Sequence, residues 1–194
     1  MAGDTNTVLV ADDDPTVVRK LRSWLADEYR VETTTDGDET LSIFEDADAV
    51  LVGHDLRTDS GTVVAAEIGC RMTAQTMAVL CDDQEVSPFP AVGAALEKPV
   101  ENAALLETVD RLVRRARYED LVAECATLAA ERGALESRGD IANEEYETLQ
   151  RRLDEVFAEL DELVKTFDSD DFRAAFATCE FGSPAQPQSA SERP

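Results

Sequence analysis

The sequence predicts an α/β fold, a five-stranded parallel doubly wound sheet, followed by an α-helical hairpin or coiled-coil module. Three observations predict it. Short apolar runs alternate with amphipathic stretches from Thr7 to about Arg117, three carboxylates (Asp12, Asp13, Asp14) follow the first run directly, and beyond Leu112 the chain turns to charged helix formers with no proline until Pro184.

The strands read at Val8 to Ala11, Arg30 to Thr34, Ala49 to Val52, Met77 to Cys81 and Ala94 to Glu97. Pro15 suits the first turn of a helix whose apolar face carries Val18, Leu21, Trp24 and Leu25, and Asp14 lies at its positive end. Further helices read at Gly37 to Glu45 and from about Gly61 to Met72. A fourth, over Asp82 to Val92, is opposed by Pro88 and Pro90, each of which breaks a helix interior. The fifth begins near Glu101 or Asn102. A helix through Tyr118, Leu121, Val122, Cys125, Leu128 and Leu135 follows, broken by the Gly133 to Gly139 region. The next is clearer: Tyr146, Leu149, Leu153, Val156, Leu160, Leu163 and Phe167 alternate spacings of three and four, a heptad seam. An antiparallel hairpin through the Ser137 to Asn143 turn accounts for the two helices, and pairing between two chains is the alternative. The seam is long and Phe157 and Val164 widen it, which favours a protein-interaction or dimerisation surface. Asp168, Ser169, Asp170 and Asp171 suit the cap of a short last helix bearing Phe172 and Phe176. The Ser/Pro/Gln/Ala-rich stretch from Gly182 to Pro194 reads as disordered.

Composition narrows the function classes. With 42 acidic against 18 basic residues the net charge is −24, and only Lys20, Lys98 and Lys165 are lysines. Such a surface repels nucleic-acid backbones. Acidic excess with so little lysine resembles the proteome style of salt-loving archaea, where a Debye length of about 3 Å at molar salt screens the self-repulsion. No window approaches the roughly 18 to 20 apolar residues of a membrane span, and no leader pattern opens the chain, so a cytoplasmic protein is expected. Cys70, Cys81, Cys125 and Cys179 are widely spaced and one histidine accompanies them, which argues for reduced thiols and against a zinc site. Around the lone His54 no Ser-His-Asp set assembles, and no glycine-rich phosphate loop follows a strand.

In a parallel α/β sheet the ligand crevice lies at the carboxyl ends of the strands. Asp12, Asp13, Gly53, Cys81 and Lys98 all fall at such ends. Adjacent carboxylates there repel one another unless a cation or a phosphoryl-bearing partner offsets them. The third strand, however, ends in glycine where such a site needs another carboxylate.

The run Val8 to Pro15, the turn ending Asp59-Ser60-Gly61, and Glu97-Lys98-Pro99-Val100 resemble the receiver domain of two-component response regulators, with its flavodoxin-like sheet, over roughly residues 6 to 117. Asp110 to Arg115 leading to Tyr118-Glu119, then Ala134-Leu135-Glu136 and Glu144-Glu145-Tyr146, resemble the HalX domain appended to receivers in haloarchaea, over about residues 105 to 178. The division implied is a receiver-like domain at 6–117, a helical domain at 118–178 and a tail at 179–194.

The receiver resemblance implies an acidic pair that binds Mg²⁺, an acceptor aspartate after the third strand, a hydroxyl switch after the fourth and a lysine before proline after the fifth. Metal and lysine offset charge on the phosphoryl oxygens while the acceptor attacks in line. Asp12 and Asp13 match the acidic pair and Lys98 the lysine, while the acceptor position falls on Gly53 and the switch on Cys81. The aromatic that accompanies the switch falls on Ala94 or Ala95. Loss of a third carboxylate predicts a weakened Mg²⁺ site. The expected function is a pseudo-receiver, not an enzyme, acting through protein contacts with a second copy, an intact response regulator or a sensor kinase. Two alternatives stand beside it. Asp55 accepts the phosphoryl group instead, from roughly 6 to 7 Å beyond the Gly53 position in extended geometry; or the helices regulate transcription, for which Arg111, Arg114, Arg115 and Arg117 supply positive charge while the acidic later helices argue against DNA.

Overall fold

The computed structural model describes residues 6–71, 76–82, 93–139 and 143–177, the side chains of 174, 176 and 177 excepted. Strands β1 (Thr7–Ala11), β2 (Arg30–Thr34), β3 (Ala49–Gly53), β4 (Met77–Asp82) and β5 (Ala94–Lys98) form one sheet in the order β2-β1-β3-β4-β5. Every pairing is parallel. Each strand lies within one residue of its expected limits; the three central strands β1, β3 and β4, covered on both faces, read as nearly unbroken apolar runs.

Alternation along those runs sorts the side chains to two faces. Val8, Val10, Leu51 and Leu80 join Leu21 and Leu25 of helix α1 (Pro15–Leu25) and Leu105, Val109 and Leu112 of helix α4 (Asn102–Arg138). Leu9, Val50, Val52 and Val79 join Phe44 and Val64, Ala65 and Ile68 of helix α3 (Val64–Arg71) on the other. Asp14 caps α1, its carboxylate accepting from the Thr16 amide at 2.7 Å, and Asp36 caps α2 (Gly37–Ile43) in the same way through the Glu39 amide. Helix α2 passes into a 3₁₀ turn over Phe44–Asp46, so the expected Gly37 to Glu45 helix is two pieces. Helix α3 starts at Val64 rather than Gly61: Gly61 has a φ of 88° and closes a turn in which its amide donates to the Thr58 carbonyl. The stretch expected over 83–92 and the tail at 179–194 lie outside the described residues.

The largest departure from expectation is α4. It runs unbroken from the sheet domain to Arg138, carrying the expected division after Arg117 in its interior and Gly133 within its last turns. Glycine lowers helix propensity by about 1 kcal/mol without forbidding the conformation, and packing against the next helix outweighs that. The stop is Gly139, whose φ of 80° provides the left-handed cap.

Helix α5 (Glu144–Val164), capped by the Asn143 side chain on the Tyr146 amide, folds back antiparallel along α4. Cross-links prove the direction: Glu136 pairs with Tyr146, Glu124 with Arg152 and Arg117 with Glu159. Helix α6 (Ser169–Ala177) then returns to α4. No helix among the described residues is long and apolar enough to cross a membrane.

Candidate functional site

The carboxyl ends of β1, β3 and β5 bring together Asp12, Gly53 and Lys98. Asp12 directly follows β1, and its side chain is fully buried. Oδ1 accepts from the Asp14 amide at 3.0 Å, and Oδ2 lies 2.7 Å from Lys98 Nζ. The second contact is charge against charge, since Oδ2 receives no aligned hydrogen bond. Burial pushes the Asp12 carboxyl above its ordinary pKa, outweighing the Lys98 contact and the Asp14 amide, which pull it down. Burial also pulls on Lys98, but Asp12, Asp82 and Asp13 outweigh it and hold the ammonium above its ordinary value. Lys98 therefore stays charged, and the cost of this pair falls on Asp12.

Gly53 shows why the pair takes this form. A Cβ at position 53 would lie 2.6 Å from Asp12 Oδ2, nearer than real Cβ contacts come, and 3.0 Å from its Cγ. The Asp12 carboxylate occupies the space that any side chain at the end of β3 would need. The space beside Gly53 is thus filled by the Asp12 carboxylate, which lies against Lys98.

The other expected residues are not gathered there. Asp13 is exposed. Asp55 is 65% exposed, and its Oδ1 sits 3.5 Å from His54 Nδ1 in the loop after β3. Cys81 is buried, with Sγ 3.9 Å from the Val79 carbonyl; Ala94 is half-buried and Ala95 exposed, so neither supplies an aromatic.

A divalent cation of the Mg²⁺ class takes several oxygen ligands. Among the described residues no group of three or more His, Cys, Asp or Glu is placed to hold a metal, and Asp12 is already committed to Lys98. The residues present do not fit the weakened Mg²⁺ site that the sequence suggested for Asp12 and Asp13.

The heptad seam serves the hairpin. Leu153 and Val156 are buried, and Tyr146, Leu149, Leu160, Leu163 and Phe167 are half-buried, on the helix that packs along α4. The seam packs along α4 within the chain, as the hairpin reading expected; Phe157, which widens the stripe, remains 58% exposed. Three of the four arginines that kept a DNA reading open are paired with acids: Arg114 with Asp110 and Asp171, Arg115 with Asp171, Arg117 with Glu159.

Residues 114–176 match the model of the HalX domain family. The C-terminal helices are a HalX domain. A Haloferax volcanii protein, provisionally described as a transcriptional regulator, is 34% identical to the chain over 163 residues, which cover 78% of the chain and 27% of that protein. The chain thus spans little more than a quarter of that relative's length. The sheet preceding the HalX helices is similar in fold to response-regulator receiver domains. It superposes on the signal receiver domain of an HD domain-containing protein from Pseudomonas fluorescens Pf-5 at a TM-score of 0.54 and 18% identity, covering 62% of this chain and 95% of that one. A receiver domain protein from Clostridium thermocellum gives 0.50 at 22% identity, covering 57% and 95%.

Two features escaped the sequence reading. One is the buried pair of Arg115 with Asp171, signalled only by an arginine on the stripe of Leu105, Val109 and Leu112. The other is the filling of the Gly53 space by Asp12, which no spacing announces.

Proposed function

We propose that the receiver-fold domain is a pseudo-receiver that works without phosphoryl transfer, as a docking surface joined to the HalX helices, with the functional division near Arg117. One observation carries this reading: the carboxylate of Asp12 lies where the acceptor side chain would stand, neutralised by Lys98. A glycine supplies no nucleophile, and in the pocket that would receive the anion the lysine is already charge-balanced by Asp12. The partners in this reading are proteins: another copy, an intact response regulator or a sensor kinase.

Intact-mass measurement after incubation with acetyl phosphate and Mg²⁺ tests it. No phosphoryl adduct is expected. An adduct that disappears in Asp55→Asn would establish the alternative acceptor in the loop beside His54 and end the pseudo-receiver reading.

The description of the Haloferax relative favours a second reading, a role in transcription. Fluorescence anisotropy with labelled duplex DNA across rising salt separates the two, because binding through phosphates weakens steeply with salt whereas protein docking of the HalX helices leaves the duplex unbound throughout.

A further inference from the structure

Arg115 interrupts an apolar stripe. It continues the buried side of α4 marked by Leu105, Val109 and Leu112, yet carries a guanidinium, and its side chain is only 5% exposed. Nε donates to Asp171 Oδ1 at 2.8 Å, and Nη1 donates to the Gly93 carbonyl at 3.3 Å. These partners come from separate parts of the molecule: Asp171 from the first turn of α6, Gly93 from the entry to β5. Asp171 is fully buried, and its Oδ2 accepts from the Asp168 amide at 3.3 Å and lies 3.6 Å from Arg114 Nη2. Beside the pair, Phe167 packs between Tyr118 and Phe172, with ring centroids 5.4 and 5.7 Å away.

A charge in such a place is tolerated only while its partners remain. The planar fork of arginine serves two acceptors in a fixed geometry, which an ammonium does not. If α6 leaves, the guanidinium loses its counter-ion and is no longer held toward Gly93. If the β5 entry shifts, the fork turns away from Asp171.

We propose that α6 is a latch. Through Arg115, docking of this C-terminal helix and the position of the β5 entry are coupled, so that undocking α6 loosens the edge of the receiver-fold sheet and a partner displacing that edge undocks α6. Undocking also uncovers the Tyr118, Phe167 and Phe172 rings. Such coupling is reciprocal by linkage. The inference is independent of whether the carboxyl-edge pocket accepts phosphate, because Gly93 stands at the opposite edge of the sheet.

Amide hydrogen exchange on the full chain tests it. Asp171→Asn keeps the shape but removes the charge, and should speed exchange across 169–177 and, in the same sample, across Ala94–Leu96 by about fivefold or more, the lower range of measured site-to-site couplings. Arg115→Lys retains a charge for Asp171 but does not span both acceptors; in that background Asp171→Asn should still open α6 while β5 no longer responds. Should Asp171→Asn fail to fold, Phe172→Ala loosens α6 through the rings and should evoke the same β5 response. Opening of α6 with β5 unchanged, or a β5 response that persists in Arg115→Lys, overturns the latch.

Discussion

Two buried ion pairs sit at opposite edges of the sheet. At the carboxyl edge, Asp12 faces Lys98, whose side chain keeps 16% of its surface exposed, and one carboxylate oxygen has a charge beside it but no aligned donor. At the amino edge, Arg115 and Asp171 are both enclosed, both carboxylate oxygens of Asp171 are engaged, and the guanidinium reaches a third element. The first pair fills the space beside Gly53 at the ends of two strands. The second joins α4, α6 and the entry to β5. The difference teaches that a buried charge pair has no single meaning: how completely its atoms are matched, and how many elements it joins, separate a space-filling pair from a joint.

The sharpest way to break this contrast is to remove one partner at the joint. Asp171→Ala leaves Arg115 buried and unpaired and should cost about 3–5 kcal/mol of stability by denaturant unfolding, with Asp171→Asn costing less. At the carboxyl edge, Lys98→Met should cost about 2–3 kcal/mol at neutral pH, because Asp12 retains one hydrogen bond and can take up a proton. The pH dependence identifies the cause. Burial already raises Asp12 above the ordinary carboxylate value of 3.8, so the folded state binds that proton more tightly than the unfolded chain. Stability conferred by the protonated form is present in acid and lost as pH rises through the raised value. Removal of Lys98 raises Asp12 further, so the penalty should shrink as pH falls from neutral toward the acid range. A penalty that does not change with pH would mean that Lys98 stabilises the edge by packing alone.

The contrast also marks where sequence reading stops. The central strands were legible because continuous apolar runs such as Val50-Leu51-Val52 follow from burial on both faces, the edge strands β2 and β5 from their place in the alternation with helical stretches, and the hairpin because the spacing from Tyr146 to Phe167 suits one helix face. Gly53 was legible as a strand end without a side chain. Its consequence was not: whether a gap closes, fills with water or is taken by a neighbour depends on three-dimensional reach, and Asp12 reaches it because β1 and β3 are adjacent with Ala11 opposite Val52. Gly133 misled because local propensity, at about 1 kcal/mol, is small beside the packing of a long hairpin. Asp171 was read as part of a capping run. Asp168 does that work, accepting from the Asp170 and Asp171 amides, and leaves Asp171 to Arg115, which is 56 residues away in the chain.

Smaller changes sharpen the same comparison. Gly53→Ala forces a methyl against Asp12 and should cost about 1–2 kcal/mol, in the range of overpacked cores. Combined with Asp12→Ala, which vacates the space, the two substitutions should cost less than their sum, a non-additivity that a double-mutant cycle reads directly. Additive costs would show that the carboxylate does not fill the Gly53 space in solution.

The smallest expected effect lies on a strand of contacts leading away from the joint. Tyr29, between α1 and β2, donates from its hydroxyl to Asp110 Oδ1 at 3.1 Å, and Asp110 pairs with Arg114, which approaches Asp171. Burial, helped by Asp110, pushes the phenol from its ordinary 10.0 up to about 12. The folded state therefore holds this proton more tightly than the unfolded chain, so its contribution is complete below pH 10 and is lost as pH rises toward about 12. Tyr29→Phe should cost about 0.5–1 kcal/mol at neutral pH, one ordinary hydrogen bond, and should flatten the alkaline decline seen in the wild type. Lys98 also titrates in the alkaline range but is common to both proteins, so the difference between their stability curves isolates Tyr29. If the curves run parallel, the phenol is solvated, and the contacts that end at Asp171 begin at Asp110 rather than at the sheet's far side.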